Sequence, residues 1–545
     1  MRRFDLQTEP WILATKGGEI SMHSLVSVLT DAHSIARLAG RSPAIDAAIF
    51  LHVILGSYLD FAGAPTSARE WKSRWDAGRI DPDEVEGWRD EVADRFDLFD
   101  SVAPFAQVAD LEATNGETKP LSLIDPYRDM GGATPLFWSP ATGDDAGYKY
   151  AEAAALLIHD LAFDTAGIKT GAVGDPNVKG GKLYGNPLGA RGQVGSVIPI
   201  GRNLFETILL NTPIIEDGLA PGDLPHWRRP PATAEWSLRS PDGPLDWLTW
   251  LGRRLRLVTE AGPDGDEDRV YALVITGGDR FTPPSPEWEL HSAWRQVKNP
   301  KGDDPPRRPI RHRSGRSAWQ GMASLVALSH AADDSTTTEP PRILAGINAL
   351  LTEGALDETY PLGAQVIGYE YGQQSAVVEN LITDEIPFPM AAARADSRTA
   401  ELVNDLVNSA AALSTALNRL DGDLRSAAGG DPTPWDKGQL PGTHLAQVLD
   451  PAVRRILSGL QAEPERVGEA GLAWKSLAYR ATRDLGNQLL RTIPPEAFAG
   501  REVTGGGKTR TVRADTADIN FAWRIKQALA VFDDYADAPD FEEPQ

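Results

Sequence analysis

The chain contains no cysteine in 545 residues. That excludes structural disulfides and thiolate metal sites, and it suits a reducing compartment. Its nine histidines are scattered, with no HExxH and no pair at metal-ligand spacing. There is no GxSxG turn, and nothing marks a catalytic pair of carboxylates. Long apolar runs are missing as well. The most apolar stretch, Ala47 to Leu59, is too short for a bilayer and contains His52, so a buried helix is expected. Met1-Arg2-Arg3-Phe4-Asp5-Leu6 lacks the apolar core and cleavage site of a signal peptide. The expectation is a soluble cytoplasmic protein with no membrane partner, no metal and no cofactor.

What is present is acidic, aromatic and unevenly charged. The formal charge is −23, and fifteen tryptophans can fill substantial cores. Two stretches run against the acidic balance. Gly167 to Arg202 holds ten glycines and five Lys/Arg against one acid, a local +4. Trp294 to Arg316 holds eight Lys/Arg against two acids, a local +6, so the remainder sums to −33. An acidic body with basic flexible segments meets a polyanion at chosen places and repels it elsewhere.

The length implies more than one core. Around Gly17-Gly18 the pattern predicts a strand, a turn and a return strand. Helical spacing runs over Ser24 to Leu38 and Ser42 to Leu59, with Ser42 as N-cap and Pro43 at the first turn. Further helices are expected at Glu152 to Phe163, Asn203 to Leu210 and Ala318 to Ala331, and a strand at Val270 to Ile275. Prolines 300, 305, 306 and 309 make the second basic stretch a loop. Gln365 to Tyr371 and Ala376 to Leu381 flank Gly372-Gln373-Gln374-Ser375, a β-hairpin with a polar tip. Four amphipathic patterns then follow: Thr399 to Leu420, His444 to Leu460, Leu472 to Leu490 and Ile519 to Tyr535. Each must bury its apolar stripe, and a four-helix bundle is the simplest packing. The fold class is therefore α+β, with a large mixed α/β N-terminal domain over 1–392 and a C-terminal four-helix bundle over 393–545.

Two near-motifs fail. Gly505-Gly506-Gly507-Lys508-Thr509 is similar to the end of a phosphate-binding loop, but Glu502 stands where its first glycine is needed and no strand is expected before it. Asp264, Asp266 and Asp268 alternate as calcium ligands do, but Arg269 takes the required glycine position. Binding features remain. In Gly180-Gly181-Lys182-Leu183-Tyr184-Gly185 the glycines admit close approach to backbone groups, while Lys179 and Lys182, and in one reading Arg191, add charge. A flexible surface loop is the equal alternative. Arg307, Arg308, Arg311 and Arg313 form a basic patch suited to phosphates, or a solvated loop. Gln373 and Gln374 offer two amides at a hairpin tip, or simply face water.

Taken in order, these pieces resemble the CasA family, the large subunit of the type I-E CRISPR surveillance complex Cascade. The likeness runs through Phe4-Asp5-Leu6 with Glu9-Pro10-Trp11-Ile12, Arg95-Phe96-Asp97-Leu98-Phe99 with Pro104-Phe105 and Gln107-Val108, and Gly132-Ala133-Thr134. It continues through Gly201-Arg202-Asn203-Leu204-Phe205-Glu206-Thr207 and Gly368-Tyr369 with the Gln373 tip. The resemblance implies a non-catalytic subunit that reads the protospacer-adjacent motif in double-stranded target DNA from the minor groove and starts unwinding. It implies three kinds of partner besides that DNA: other Cascade subunits, the guide RNA 5′ end, and the helicase-nuclease. By the same resemblance, the DNA-reading loop falls on Gly180, Gly181, Lys182 and Gly185, the wedge on Gln373 with Gln374, and the complex-engaging loop on Leu136, Phe137 and Trp138. Arg280 is a candidate for the motif-reading cation. Some relatives carry Phe-Val-Asn where this chain has Phe137-Trp138-Ser139, a departure. Two rivals stand beside this reading: a scaffold subunit contacting only protein and guide RNA, and a hydrolase with a dispersed site.

Overall fold

The computed structural model describes residues 3–127, 147–259, 269–281, 283–297, 300–301, 305–326, 338–394, 397–433, 440–505 and 508–535. Two compact units emerge, in a mixed α/β architecture. The first comprises Met1–Ser314, Asp333–Leu356 and Ala364–Thr383; the second comprises Gly315–Ala332, Asp357–Gly363 and Asp384–Gln545.

The first unit opens with strands β1 (Ile12–Lys16) and β2 (Glu19–His23), paired antiparallel across Gly17 and Gly18, whose φ values of 60° and 86° suit a two-residue turn. The expected helix over Ser24 to Leu38 is cut short. It spans Leu25–Thr30, and Ile35–Leu38 becomes β3 on the other edge of β1. Burial of Ile35, a β-branched residue, against that sheet outweighs the helical spacing.

The apolar helix α1 (Pro43–Ala62) starts where expected, with Ser42 Oγ accepting from the Ala44 amide at 3.2 Å. By length and composition it alone among the described residues passes for a membrane span, but 83% of its most apolar window is buried inside the fold. α1 packs against α2 (Tyr150–Phe163). The hairpin β4 (Gly167–Thr170) and β5 (Lys182–Asn186) follows, then β6 (Ser196–Ile200). Asn203 caps the helix Leu204–Leu210 through the Glu206 amide, as its side chain suits. Buried indoles dominate this core; Trp71 donates to the Leu209 carbonyl at 3.0 Å. Strands β7 (Arg253–Val258) and β8 (Ala272–Gly277) pair antiparallel through six residues.

The second basic stretch is not a loop throughout. Trp294–Gln296 (β9) and Arg307–Pro309 (β10) pair antiparallel, with Trp294 opposite Pro309. The proline ends its short strand, where its missing N–H costs least. The polar-tipped hairpin forms as β11 (Gly363–Tyr371) and β12 (Val378–Pro387), and β11 also pairs with β6.

The second unit is built on α3 (Arg398–Ala428), α4 (Pro441–Ala462), α5 (Val467–Thr492) and α6 (Ala514–Leu529), each longer than its sequence pattern or beginning earlier. α3 packs against the other three, burying Leu402, Leu406, Leu413, Leu417 and Leu420. Trp474 Nε1 donates to Ser409 Oγ at 2.9 Å, and Tyr535 donates to Asp405 at 2.9 Å. At Gly486 a Cβ would lie 2.2 Å from the Phe521 ring, so only glycine permits that α5–α6 approach. The Ala318 to Ala331 helix is a 3₁₀ segment over Ala318–Ser324, and 327–331 lie outside the described residues. The triple-glycine stretch is flanked by strands Arg501–Gly505 and Lys508–Val512, paired as a hairpin. A strand does precede it, contrary to the sequence reading, but a strand rather than a helix follows, and a phosphate-binding loop needs the helix.

Candidate nucleic-acid interface

The connection from β4 to β5, residues 171–181, ends in a two-residue turn closed by Lys179 and Lys182. The Lys179 amide donates to the Lys182 carbonyl at 2.9 Å, and the Lys182 amide returns to the Lys179 carbonyl at 3.1 Å. Gly180 and Gly181 sit between at φ +58° and +74°. Two successive left-handed residues define the primed turn that matches strand twist, which explains why both are glycine. Nothing lies within 4 Å of a Cβ built at Gly180, whereas one at Gly181 would meet Thr114 Oγ1 at 3.4 Å. The Gly181 carbonyl is held by Thr114 Oγ1 and by the Gly171 amide, both at 2.9 Å. Lys179 and Lys182 are exposed and make no ion pair among the described residues. The turn thus leaves Gly180 open to close approach and carries two exposed ammonium groups that make no ion pair among the described residues.

Alternation along β5 buries Leu183 and turns Lys182 and Tyr184 to the other face. Tyr184 is 50% exposed. The sequence reading did not single it out. Its signal was the Lys182-Leu183-Tyr184 alternation, legible only once β5 is known to be a strand. Gly185, at φ +68°, follows it. Arg280 braces this strand, with Nη2 on the Tyr184 carbonyl at 2.7 Å and its guanidinium 3.9 Å from the Trp236 ring. At the hairpin base Lys169 pairs with Asp164 at 2.6 Å, and Arg253 Nε donates to the same carboxylate. Burial opposes ionisation of Asp164, but these two cations hold its pKa below the usual carboxylate range.

The β11–β12 tip lies beside this base. The Ala166 amide, one residue before β4, donates to the Ser375 carbonyl at 2.9 Å. Gln373 and Gln374 are exposed, and Gln374 and Ser375 take φ of 57° and 56° without being glycine. Each such residue costs roughly 1 kcal/mol or more and persists only where its surroundings enforce it. Below the tip Tyr371 donates to the Phe163 carbonyl at 2.8 Å, and a Cβ at Gly192 would lie 2.4 Å from that hydroxyl. The segment after β10 runs along the same sheet. Arg311 Nε donates to the Gln193 carbonyl at 3.1 Å, and His312 Nε2 lies 3.0 Å from the Ser196 carbonyl.

Gly180, Lys182 and Gln373, which the sequence resemblance singles out, fall on these hairpins, and the resemblance itself runs along the whole chain. The family model for CRISPR-associated protein Cse1 (CRISPR_cse1) matches residues 5–485. The chain belongs to the Cse1 family. It is 32% identical over 279 residues to the CRISPR-associated protein CasA/Cse1 of Thermus thermophilus, covering 48% of this chain; the match spans about half the length of that curated relative, 50%. The Cse1 structure from Thermobifida fusca is similar at TM-score 0.84 and 31% identity, covering 97% of this chain and 98% of that one. A chain of a CRISPR RNA-guided surveillance complex shares the fold at TM-score 0.69 and 19% identity, over 98% of this chain and 100% of that one.

In this Cse1 family member the structure draws Gly180, Gly181, Lys182, Gly185, Gln373 and Gln374 onto neighbouring hairpins, with Arg311 braced on the adjoining β6 end. It leaves others apart. Arg307 is engaged by Glu339 at 3.0 Å, opposite Gln296 in its strand pair. Arg308 lies next to it on β10, and Arg313 is exposed beyond Arg311. Arg191 is not a surface cation: its side chain is 4% exposed and pairs with Glu289 at 2.6 Å. Leu136, Phe137 and Trp138, like Asp264 and Asp266, lie outside the described residues.

Turn shape and side-chain chemistry can be separated here. Gly180→Asn should keep the turn and stabilise it by up to about 1 kcal/mol, since asparagine tolerates this backbone and orders the unfolded chain. Gly181→Val should cost about 2 kcal/mol or more, because a β-branched residue resists positive φ. Denaturant midpoints of the two variants check this, and equal midpoints would refute it.

Proposed function

We propose that this chain is the large, non-catalytic subunit of an RNA-guided CRISPR surveillance complex, and that it reads a short protospacer-adjacent motif in duplex DNA. The observation that carries the reading is the Lys179-Gly180-Gly181-Lys182 turn, with Gly180 open and two exposed cations that make no ion pair among the described residues, on a hairpin whose base meets the Gln373 tip through the Ala166–Ser375 hydrogen bond. The turn suits the minor groove, where readout is degenerate and weak enough for scanning. The glutamine tip suits a wedge that parts the first base pairs. Few positive loops on an acidic body keep non-specific affinity near ~10⁻⁴ to 10⁻⁶ M at physiological salt.

In this proposal residues 1–392 carry the DNA-reading loops, including the Leu136, Phe137 and Trp138 loop that engages the complex and the guide RNA 5′ end. Residues 393–545 form a four-helix bundle that docks on neighbouring subunits. The chain also offers the helicase-nuclease its platform, all in the cytoplasm.

The test is binding of reconstituted complex, with and without this chain, to duplexes that carry or lack the motif, over a salt series. Discrimination that requires the chain supports the reading. Discrimination that survives its removal favours the scaffold alternative. Within that assay Lys182→Ala should weaken binding to all duplexes and lower the slope of log K against log salt by about 0.9, the loss of one phosphate contact. An unchanged slope removes Lys182 from the interface.

A further inference from the structure

A second cationic site lies in the N-terminal unit away from these loops. Arg95, Arg229, Arg239 and Arg254 line one cavity of about 110 Å³, together with His226, Asp246 and Asp279. Three of the guanidiniums are neutralised. Arg229 pairs with Asp242 at 2.8 Å, Arg254 with Asp279 at 2.7 Å, and Arg239 with Asp246, reaching Oδ1 from Nη2 at 2.9 Å. Arg95 is not. Among the described residues its side chain makes no hydrogen bond or ion pair, and its Nε is buried without a partner. Burial lowers the Arg95 pKa, with Asp100 opposing only at a distance. A half-buried cation that makes no ion pair is partly desolvated, and an anion in the adjoining cavity would offset that cost.

Two further features lie in the wall of the same cavity. His226 is 9% exposed, and its Nε2 has no partner. Burial, then the neighbouring His52 and Arg95, keep this imidazole neutral, so it can present an N–H. Ala106, in the cavity wall, is held at φ 56° without being glycine, the kind of backbone strain that collects at ligand sites. The cavity is partly open to solvent and has room for a group of phosphate size.

We propose that this cavity binds a small tetrahedral oxyanion of phosphate size, with Arg95 as its principal cation and His226 Nε2 as a neutral donor. The oxyanion is either free inorganic phosphate or the terminal phosphate of a nucleotide whose nucleoside stays outside. The proposal does not depend on how the chain reads DNA.

Isothermal titration of the full chain, at constant ionic strength held with chloride, tests it. The titrants are inorganic phosphate, adenosine monophosphate and adenosine. Saturable binding of inorganic phosphate, weakened at least tenfold in Arg95→Gln and less than tenfold in Arg95→Lys, supports the free ion. Monophosphate binding at least tenfold tighter than inorganic phosphate, with none by adenosine, supports a nucleotide phosphate. Lys72→Gln, an exposed charge change outside the cavity, controls for charge in general and should bind like the wild type. Absence of saturable binding by either phosphate, or Arg95→Gln binding as the wild type does, overturns the proposal. A circular dichroism spectrum of Arg95→Gln matching the wild type excludes misfolding as the cause of a loss.

Discussion

Arg191→Met should destabilise the N-terminal unit by about 3–5 kcal/mol, the usual cost of removing one partner from a buried ion pair. Glu289 is fully buried and 2.6 Å from the guanidinium. It also accepts from the Trp247 indole and from the His291 amide at 2.7 Å. Without Arg191 that carboxylate would be a buried charge with dipoles for partners but no cation. The urea midpoint of the unit's transition is the measurement, with the slope checked for constancy. The double variant Arg191→Met/Glu289→Gln should recover only part of the loss: it removes the stranded charge, but its one amide oxygen can accept from Trp247 or from His291, not from both, and its NH2 faces the other N–H. A single variant costing under about 1 kcal/mol would show that the pair contributes far less than buried pairs usually do. Duplex affinity of the remaining folded protein should not change, since Arg191 reaches no surface. This experiment separates a structural arginine from the lysines that surround it in sequence.

Gln373→Ala should leave duplex binding within about twofold and slow target unwinding at least tenfold. The physical reason is the division of labour proposed for the two hairpins. In that proposal Lys179 and Lys182 meet phosphates before any base pair opens, so affinity for closed duplex should not need the glutamine. Opening a step costs about a few kcal/mol, and about 1.4 kcal/mol of lost wedge contact is already a factor of ten. The tip is well placed to act as a rigid tool: Gln374 and Ser375 are locked in left-handed backbone, and the Ser375 carbonyl is tied to Ala166. Unwinding can be followed by fluorescence of a base analogue next to the motif, and binding by a filter or mobility assay on the same duplex. Equal losses in both would contradict the wedge. Gln374→Ala, at the adjacent exposed position, shows whether one amide or both are used.

Local chemistry was legible where a residue type has only one good use. Ser42 read as a cap and is one. Gly17-Gly18 read as a hairpin turn and takes the positive φ that such a turn needs. The long amphipathic stripes after Thr399 read as helices, because a stripe repeated over many turns has no alternative home. Failures came where neighbours outvote the local pattern. Ile35–Leu38 joined a sheet edge that helical spacing could not reveal. The proline-broken basic stretch found strand partners in Trp294–Gln296. Arg191 lay in a basic, glycine-rich run and was read with its charge facing outward, yet its partner Glu289 stands 98 residues away.

By itself, the sequence determined the chemistry available to this protein: no thiols, an acidic body, two basic stretches, and a family pattern running from Phe4 to the C-terminal helices. It also determined the turns, since glycine pairs at 17–18 and 180–181 admit backbone that other residues resist. Tertiary structure decided which of the charges are free. Among the described residues Lys179 and Lys182 make no ion pair, while Arg191 and Arg307 are taken by distant acids. It also set the Gln373 tip against the β4–β5 hairpin across some two hundred residues. Charge pairing and hairpin adjacency depend on which segments meet in space. No local pattern encodes that, because the contact energy belongs to both partners and only one of them is in view at a time.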